Sequence, residues 1–157
     1  MASPVTKLEP KKIYLKDCSF ESPSSPHIFA RGEVQPKMEV QMTIAHTRIE
    51  ADHNFFEVVL KITVTATHED TNLFLAEIQQ AGIFGVQNLA EDRIEMVLEV
   101  ACPHMLLPFA REELAGLVAK GGFPQLLLNP VNFEAIYQQK KEKEARSVEP
   151  PADARPN

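Results

Sequence analysis

Apolar and polar residues alternate along four stretches of the chain, which is the pattern of strands buried on one side. These stretches cover residues 38–44, 56–65, 73–84 and 94–100. The second is so rich in valine, isoleucine and threonine that a helix is disfavoured there. Because short polar connections separate the first three stretches, we predict an antiparallel sheet.

The stretch 73–84 carries polar side chains on both of its faces. As a strand, it places Leu75 with Glu77 on one face and Phe74, Ala76 and Ile78 on the other. Each face then carries both apolar and polar residues, because Glu77 lies on the face of Leu75 and Gln80 lies on the face of Phe74. We therefore expect both faces to contact something.

The spacing of apolar residues changes to three and four after residue 101, which predicts a helix. We expect this amphipathic helix between residues 102 and 122, with Pro108 in its first turn and the glycine pair 121–122 at its end. Asn132 is a suitable cap for a second helix, with Ile136 and Tyr137 on its inner side.

These elements predict an α+β fold, in which a four-stranded antiparallel sheet is followed by two helices. Residues 13–23 indicate only a short edge segment and a loop. Residues 1–10 and 145–157 combine charge with proline and predict disordered tails on either side of one domain, 11–144. Two short helices cannot cover both faces of such a sheet, so exposed apolar surface should serve subunit contacts or a binding groove.

Composition narrows the class of function. The chain has 157 residues and a net charge of −6, which argues against a general nucleic-acid binder. We find neither a signal-peptide core nor an apolar run of membrane-spanning length, and therefore expect a cytoplasmic protein. Cys18 and Cys102 lie far apart and predict free thiols.

No catalytic or metal-binding motif stands out. The histidines are isolated, the glycines lack the context of a phosphate loop, and no cofactor is indicated. Glu77 near Glu95 or Glu99 on a neighbouring strand could form a carboxylate pair, but exposed acidic residues on a sheet are commoner. Binding or assembly is therefore favoured over enzyme activity.

Several motifs occur in one order along most of the chain: KDCSFESP at 16–23, FEVVLKITVTA at 56–66, LFLAEIQQAGIF at 73–84, CP at 102–103, PFARE at 108–112, GFPQL at 122–126 and PVNF at 130–133. Over residues 11–140 the chain resembles SecB, the bacterial protein-export chaperone family. The resemblance implies a cytosolic homotetramer, a dimer of dimers, without enzyme activity. It also implies that unfolded precursor proteins bind in apolar surface grooves and are delivered to the ATPase SecA.

The resemblance also implies roles for particular residues. Asp17, Glu21, Leu75 and Glu77 match the family's docking surface for the basic, zinc-containing C-terminal tail of SecA. Candidates for client contact, which could equally be sheet core, are Val34, Met38, Val40, Met42, Ile44, Leu126, Leu128, Ile136 and Tyr137. Candidates for the oligomer interface are Phe74, Ala76, Ile78, Leu106, Phe109 and Leu114.

The chain departs from the family at one point. Relatives often carry a tryptophan near the start of the first predicted strand, whereas this chain has no tryptophan and shows Val34 there. Two other hypotheses remain beside the export chaperone: an oligomeric scaffold or toxin–antitoxin-associated chaperone with one dedicated partner, and, more remotely, an enzyme that uses Glu77 and a neighbouring histidine.

Overall fold

The computed structural model describes residues 5–50 and 53–148. Its elements are strands β1 (Lys7–Glu21), β2 (Lys37–Glu50), β3 (His53–His68) and β4 (Thr71–Gln87), a 3₁₀ helix (His27–Arg31), helix α1 (Glu91–Met96), a π-helical turn (Val97–Ala101), and helices α2 (Cys102–Lys120) and α3 (Phe133–Val148).

The four strands form one antiparallel sheet in the order β1-β4-β3-β2. A two-residue turn joins β3 to β4, and both of its residues, Glu69 and Asp70, have positive φ angles of 46° and 64°. Positive φ at both central positions is what the tightest hairpin turns require, and aspartate tolerates it better than most residues. The fold class predicted from the sequence is therefore confirmed.

One face of the sheet, here called the helix face, is covered by α2. It carries the alternate residues Val58, Leu60, Ile62 and Val64 of β3, all fully buried. Four buried α2 residues pack into the same core: Leu106, Ala110, Leu114 and Val118. Their spacing of four places them on one side of the helix, so the amphipathic pattern forms the core.

The opposite face, here called the open face, carries Leu75, Glu77 and Gln79 of β4, which are partly or largely exposed. Phe74, Ala76 and Ile78 on the same strand are buried on the helix face. The two faces predicted for the stretch 73–84 are therefore confirmed.

The strand predicted over residues 94–100 is wrong, because this segment is helical. Ile94 and Leu98 are buried and Met96 is exposed, so the side chains that reach the core lie four residues apart. Alternation in so short a run fits the helical period as well as that of a strand. Pro108, expected in the first helical turn, lies in the interior of α2 because the chain is already helical from Glu91.

The fourth strand is instead β1, which was predicted only as a short edge segment. Register shifts between Pro10 and Lys12 and between Leu15 and Asp17 mark bulges in its pairing with β4. Each bulge shifts the alternation by one residue, which hid the strand in the sequence pattern.

Both predicted domain boundaries also differ from the structure. β1 begins at Lys7, inside the predicted tail 1–10, and α3 continues to Val148, beyond the predicted domain end at 144. The rest of the predicted tails, residues 1–4 and 149–157, lies outside the described residues. The Asn132 cap is confirmed, because its Oδ1 accepts a hydrogen bond of 3.1 Å from the amide of Ala135.

Candidate functional site

An apolar groove opens beside the start of β4. It has a volume of about 450 Å³ and lies between the 3₁₀ helix, the loop before β2 and the connector after α2. Apolar residues dominate its lining: Ile28, Phe29, Val34, Leu73, Phe123 and Pro124. We call this feature the aromatic groove.

Phenylalanine rings connect the aromatic groove to the core. Phe20 and Phe74 stack with ring centroids 5.6 Å apart, Phe74 lies 4.9 Å from Phe123, and Phe123 lies 5.3 Å from Phe29. Phe74 is buried, whereas Phe29 is 49% exposed. The row of rings therefore presents a fixed aromatic surface to solvent at Phe29.

Two glycines after α2 give these rings room. A side chain at Gly121 would collide with the ring of Phe20, and a Cβ at Gly122 would lie 3.0 Å from that of Phe29. Gly122 also has a φ of 88°, which glycine adopts without strain. The pair predicted as the end of the helix therefore also shapes the aromatic groove.

The residues predicted for client contact divide into several environments. Val34 lines the aromatic groove. Met38, Val40, Met42 and Ile44 share the helix face of edge strand β2, where Val40 is exposed and the other three are half-buried against the core. Farther along the chain, Leu126 is buried, Leu128 and Tyr137 are half-buried and Ile136 is exposed.

Sequence reasoning missed the two aromatic residues that line the groove, Phe29 and Phe123. Phe123 stood within the motif GFPQL, where a glycine pair next to phenylalanine and proline was a signal of close packing. Phe29 follows a serine- and proline-rich turn, and no pattern there distinguished it from loop.

The open face brings together Asp17, Glu21, Leu75 and Glu77, the four residues predicted for docking. Glu21 pairs with Leu75, Asp17 pairs with Gln79, and Ser19 between them pairs with Glu77. Leu75 is 38% exposed. We call these four residues the acidic patch, in which Glu21 lies opposite the exposed Leu75, and Glu77 and then Asp17 follow farther along the same face.

The carboxylates of the acidic patch differ in their surroundings. Both oxygens of Glu77 are engaged, since Thr63 Oγ1 donates to Oε2 at 3.2 Å and Lys61 Nζ lies 3.6 Å from Oε1. Asp17 and Glu21 are exposed and make no ion pair within the described part of the chain.

A second polar cluster lies farther along the open face. Glu57 accepts hydrogen bonds from the Tyr14 hydroxyl and from Lys16 Nζ, the latter at 2.7 Å. These bonds, first that of Lys16, lower the pKa of Glu57, while burial and the Glu57 carboxylate raise the pKa of Tyr14 to about 12. The pairing of strands so distant in sequence concealed this cluster from the sequence analysis.

Most residues predicted for the oligomer interface already belong to the core of this chain. Phe74, Ala76, Ile78, Leu106 and Leu114 are buried between the sheet and α2, so they present no surface to a second chain. The sixth candidate, Phe109, is 47% exposed on α2.

The carboxylate pair considered from the sequence does not form. Glu77 is on the open face, whereas Glu99 is only 5% exposed and contacts His46 of the helix face, with Nε2 and Oε1 3.2 Å apart. Lys140 Nζ of α3 donates to the same Glu99 oxygen at 2.7 Å, which raises the pKa of Lys140. Glu95 pairs with Lys141 at 3.0 Å, so both acidic residues attach α3.

Residues 5–50 and 53–148 contain neither a candidate metal site nor a candidate membrane-spanning helix. No group of three or more histidine, cysteine, aspartate or glutamate side chains could hold a metal ion there. No helix in this part of the chain is long and apolar enough to cross a membrane.

The comparison of solved structures supports the fold. A SecB-like chaperone from Mycobacterium tuberculosis, Rv1957, solved with a ChAD peptide from the HigA1 antitoxin, matches with a TM-score of 0.67. The match covers 79% of this chain and 90% of that one at 15% sequence identity, and therefore bears on the fold alone.

Sequence comparison gives much closer relatives. The protein-export protein SecB of Nitrosococcus oceani is 49% identical over 133 residues, which cover 84% of this chain and 80% of that protein. The SecB of Methylobacillus flagellatus is 41% identical, with 87% and 85% covered. The family model for preprotein translocase subunit SecB matches residues 2–144. The chain therefore belongs to the SecB family of protein-export chaperones.

Proposed function

We propose that this chain holds precursor proteins in an unfolded state for export, by binding their extended apolar segments in the aromatic groove without ATP. The observation that carries the proposal is the row of phenylalanine rings, which ends in the half-exposed Phe29 in a member of the SecB family. The family is one of chaperones, and holding a client requires no catalytic step.

The physical chemistry of the groove suits clients of varied sequence. Apolar burial is not directional, so it stabilises any segment with aromatic or aliphatic side chains. Val34 lines the groove and the chain has no tryptophan, so Phe29 and Phe123 supply its aromatic contacts. The methionines of β2 can extend the surface, because their flexible side chains adapt to different partners.

Replacing Phe29 tests this proposal. Because the ring is half exposed and packs mainly against Phe123, Phe29→Ser should leave the fold intact and weaken client binding roughly three- to tenfold. Fluorescence anisotropy of a labelled, permanently unfolded protein measures the affinity.

Met96→Ser is the matched control, since Met96 is exposed to a similar extent at the end of α1. It should bind the unfolded protein like the unsubstituted chain. Equal affinity of all three proteins, or an equal loss in both variants, would contradict a role for the aromatic groove.

We propose that the acidic patch docks the basic, zinc-containing C-terminal tail of SecA, to which the client is delivered. The row of three carboxylates beside an exposed leucine supports this assignment, because it complements a segment that combines cations with an apolar side chain. The zinc belongs to the partner. The patch lies on the open face, away from α2, so docking leaves the helix face undisturbed.

Charge reversal in the patch tests the docking. Asp17→Lys and Glu21→Lys should each weaken binding of the SecA tail in a calorimetric titration, while affinity for an unfolded client persists. Glu142→Lys, on exposed α3, changes the net charge equally and serves as the control. Weakening by all three substitutions would indicate only a general charge effect, and weakening by none would refute the docking surface.

We further propose that the chain works in the cytoplasm as a homotetramer, a dimer of dimers. Phe109 supports this proposal, because an aromatic side chain 47% exposed on α2 offers surface to another copy. A scaffold or a chaperone with one dedicated partner could use the same surfaces, but it would bind that partner alone and not unfolded chains in general.

A further inference from the structure

A cation lies beside the acidic patch. Lys61 on β3 projects onto the open face, and its Nζ lies 3.6 Å from Oε1 of Glu77. The Lys61 side chain is 43% exposed and forms no other ion pair within the described residues. It can therefore turn away into solvent at little cost.

The register also places Lys61 in the same row across the sheet as a second carboxylate of the patch, that of Asp17. Lys61 and Asp17 both pair with Gln79, one from each side, so two strand spacings of about 4.8 Å separate their backbones. That distance is about one Debye length at moderate ionic strength. Asp17 is therefore a much weaker neighbour of Lys61 than Glu77, whose carboxylate Lys61 contacts directly.

Thr63 keeps Glu77 oriented independently of the lysine. Its hydroxyl holds Oε2 at 3.2 Å, while Oε1 is the oxygen that faces Lys61. Loss of the lysine would therefore leave Glu77 positioned, with one oxygen available to an incoming cation.

We propose that Lys61 sets the affinity of the acidic patch by occupying Glu77 until a basic segment of the partner displaces it. This inference rests on the proposed docking of a basic partner. Lys61 lowers the affinity and favours release, and it selects partners whose lysines or arginines compete effectively for Glu77.

The size of the effect follows from ordinary surface ion pairs. Such pairs stabilise by amounts that correspond to about a two- to fivefold change in an equilibrium constant. Lys61→Met should therefore tighten the binding of a short labelled peptide rich in lysine and arginine by about two- to fivefold at low ionic strength. The gain should shrink in high salt, where charges on the surface are screened.

The experiment measures fluorescence anisotropy of that peptide with the full chain and five variants, which are Lys61→Met, Lys61→Gln, Lys12→Met, Glu77→Gln and the double variant that combines Lys61→Met with Glu77→Gln. Lys61→Gln should repeat the gain without the added apolar surface of methionine. Lys12→Met removes the same charge from the open face, opposite Ile83 and well away from Glu77, and should give little gain. In a Glu77→Gln background, Lys61→Met should lose most of its effect, because the occupied carboxylate is absent.

Unchanged or weaker binding by Lys61→Met would overturn the inference, since the lysine would then be neutral or would help to position Glu77. An equal gain from Lys12→Met, or a gain that persists fully with Glu77→Gln, would also overturn it by indicating a general charge effect. If the unsubstituted chain does not bind the peptide, the docking proposal itself fails. Denaturant unfolding of each variant verifies that the compared proteins are folded.

Discussion

At the scale of single residues, the aromatic groove depends on two glycines as much as on its phenylalanine rings. Gly121 and Gly122 allow α2 to end against the rings of Phe20 and Phe29, and these rings carry the contact from the core to the surface. The sequence revealed the glycines as a helix end. It could not reveal which rings approach them, because Phe20 and Phe29 come from distant parts of the chain.

The glycine pair gives a direct test of this packing. Gly121→Ala introduces a methyl group into the space of the Phe20 ring and should lower the free energy of unfolding by about 1–3 kcal/mol. Gly116→Ala, at an open position inside α2, should instead raise it by about 0.5–1 kcal/mol, because alanine favours a helix. Urea unfolding of both variants measures the difference. A destabilisation that is equal in the two would contradict the close approach of Phe20.

At the scale of elements, the sequence predicted the right kind of sheet although one of its four strands was wrong. The stretches within β2, β3 and β4 were identified correctly, the strand predicted over 94–100 is helical, and β1 was predicted only as a short edge segment. The long regular alternation of β3 identified it correctly, since no helix places Val58, Leu60 and Ile62 on one face. Two bulges concealed β1, and the short run 94–100 fitted both periods. A long, uninterrupted alternation of apolar and polar residues therefore distinguishes a strand from a helix, whereas a short or interrupted alternation does not.

The attachment of α3 also belongs to this scale. Phe133 is buried at its first turn, and farther along the helix the ion pairs of Lys140 with Glu99 and of Lys141 with Glu95 bind it to the preceding helical segment. Glu99 is a nearly buried acceptor, and a buried carboxylate oxygen that loses a donor is left unsatisfied at a cost in free energy.

We therefore expect Lys140→Met to loosen α3. Glu99 would retain only His46, which should lower the free energy of unfolding by roughly 1–3 kcal/mol or open α3 locally. Hydrogen–deuterium exchange should become faster in α3 and remain unchanged in β3 and β4. Lys143→Met, on an exposed part of the same helix, is the control. Equal exchange in the two variants would argue against anchoring by Glu99.

At the scale of the whole molecule, the sheet separates two surfaces. The helix face forms the core and leads through the phenylalanine rings to the aromatic groove, while the open face carries the acidic patch. The strand pattern predicted the two faces of β4, and the resemblance named the four residues of the patch, which the structure places side by side. Neither the pattern nor the resemblance could predict that five of the six interface candidates are buried within their own chain. An apolar face has the same sequence pattern whether it packs in the core of its own chain or against a partner.

We propose that this chain, in an assembly of several copies, holds many different unfolded proteins and needs no nucleotide to do so. Analytical ultracentrifugation tests it most directly, with the chain alone and then with an unfolded client, without ATP. We expect a tetramer that sediments with each of several unrelated unfolded proteins as one larger species and that leaves the folded forms of the same proteins unbound. A chain that ignores unfolded proteins, or that binds only one folded partner, would contradict it.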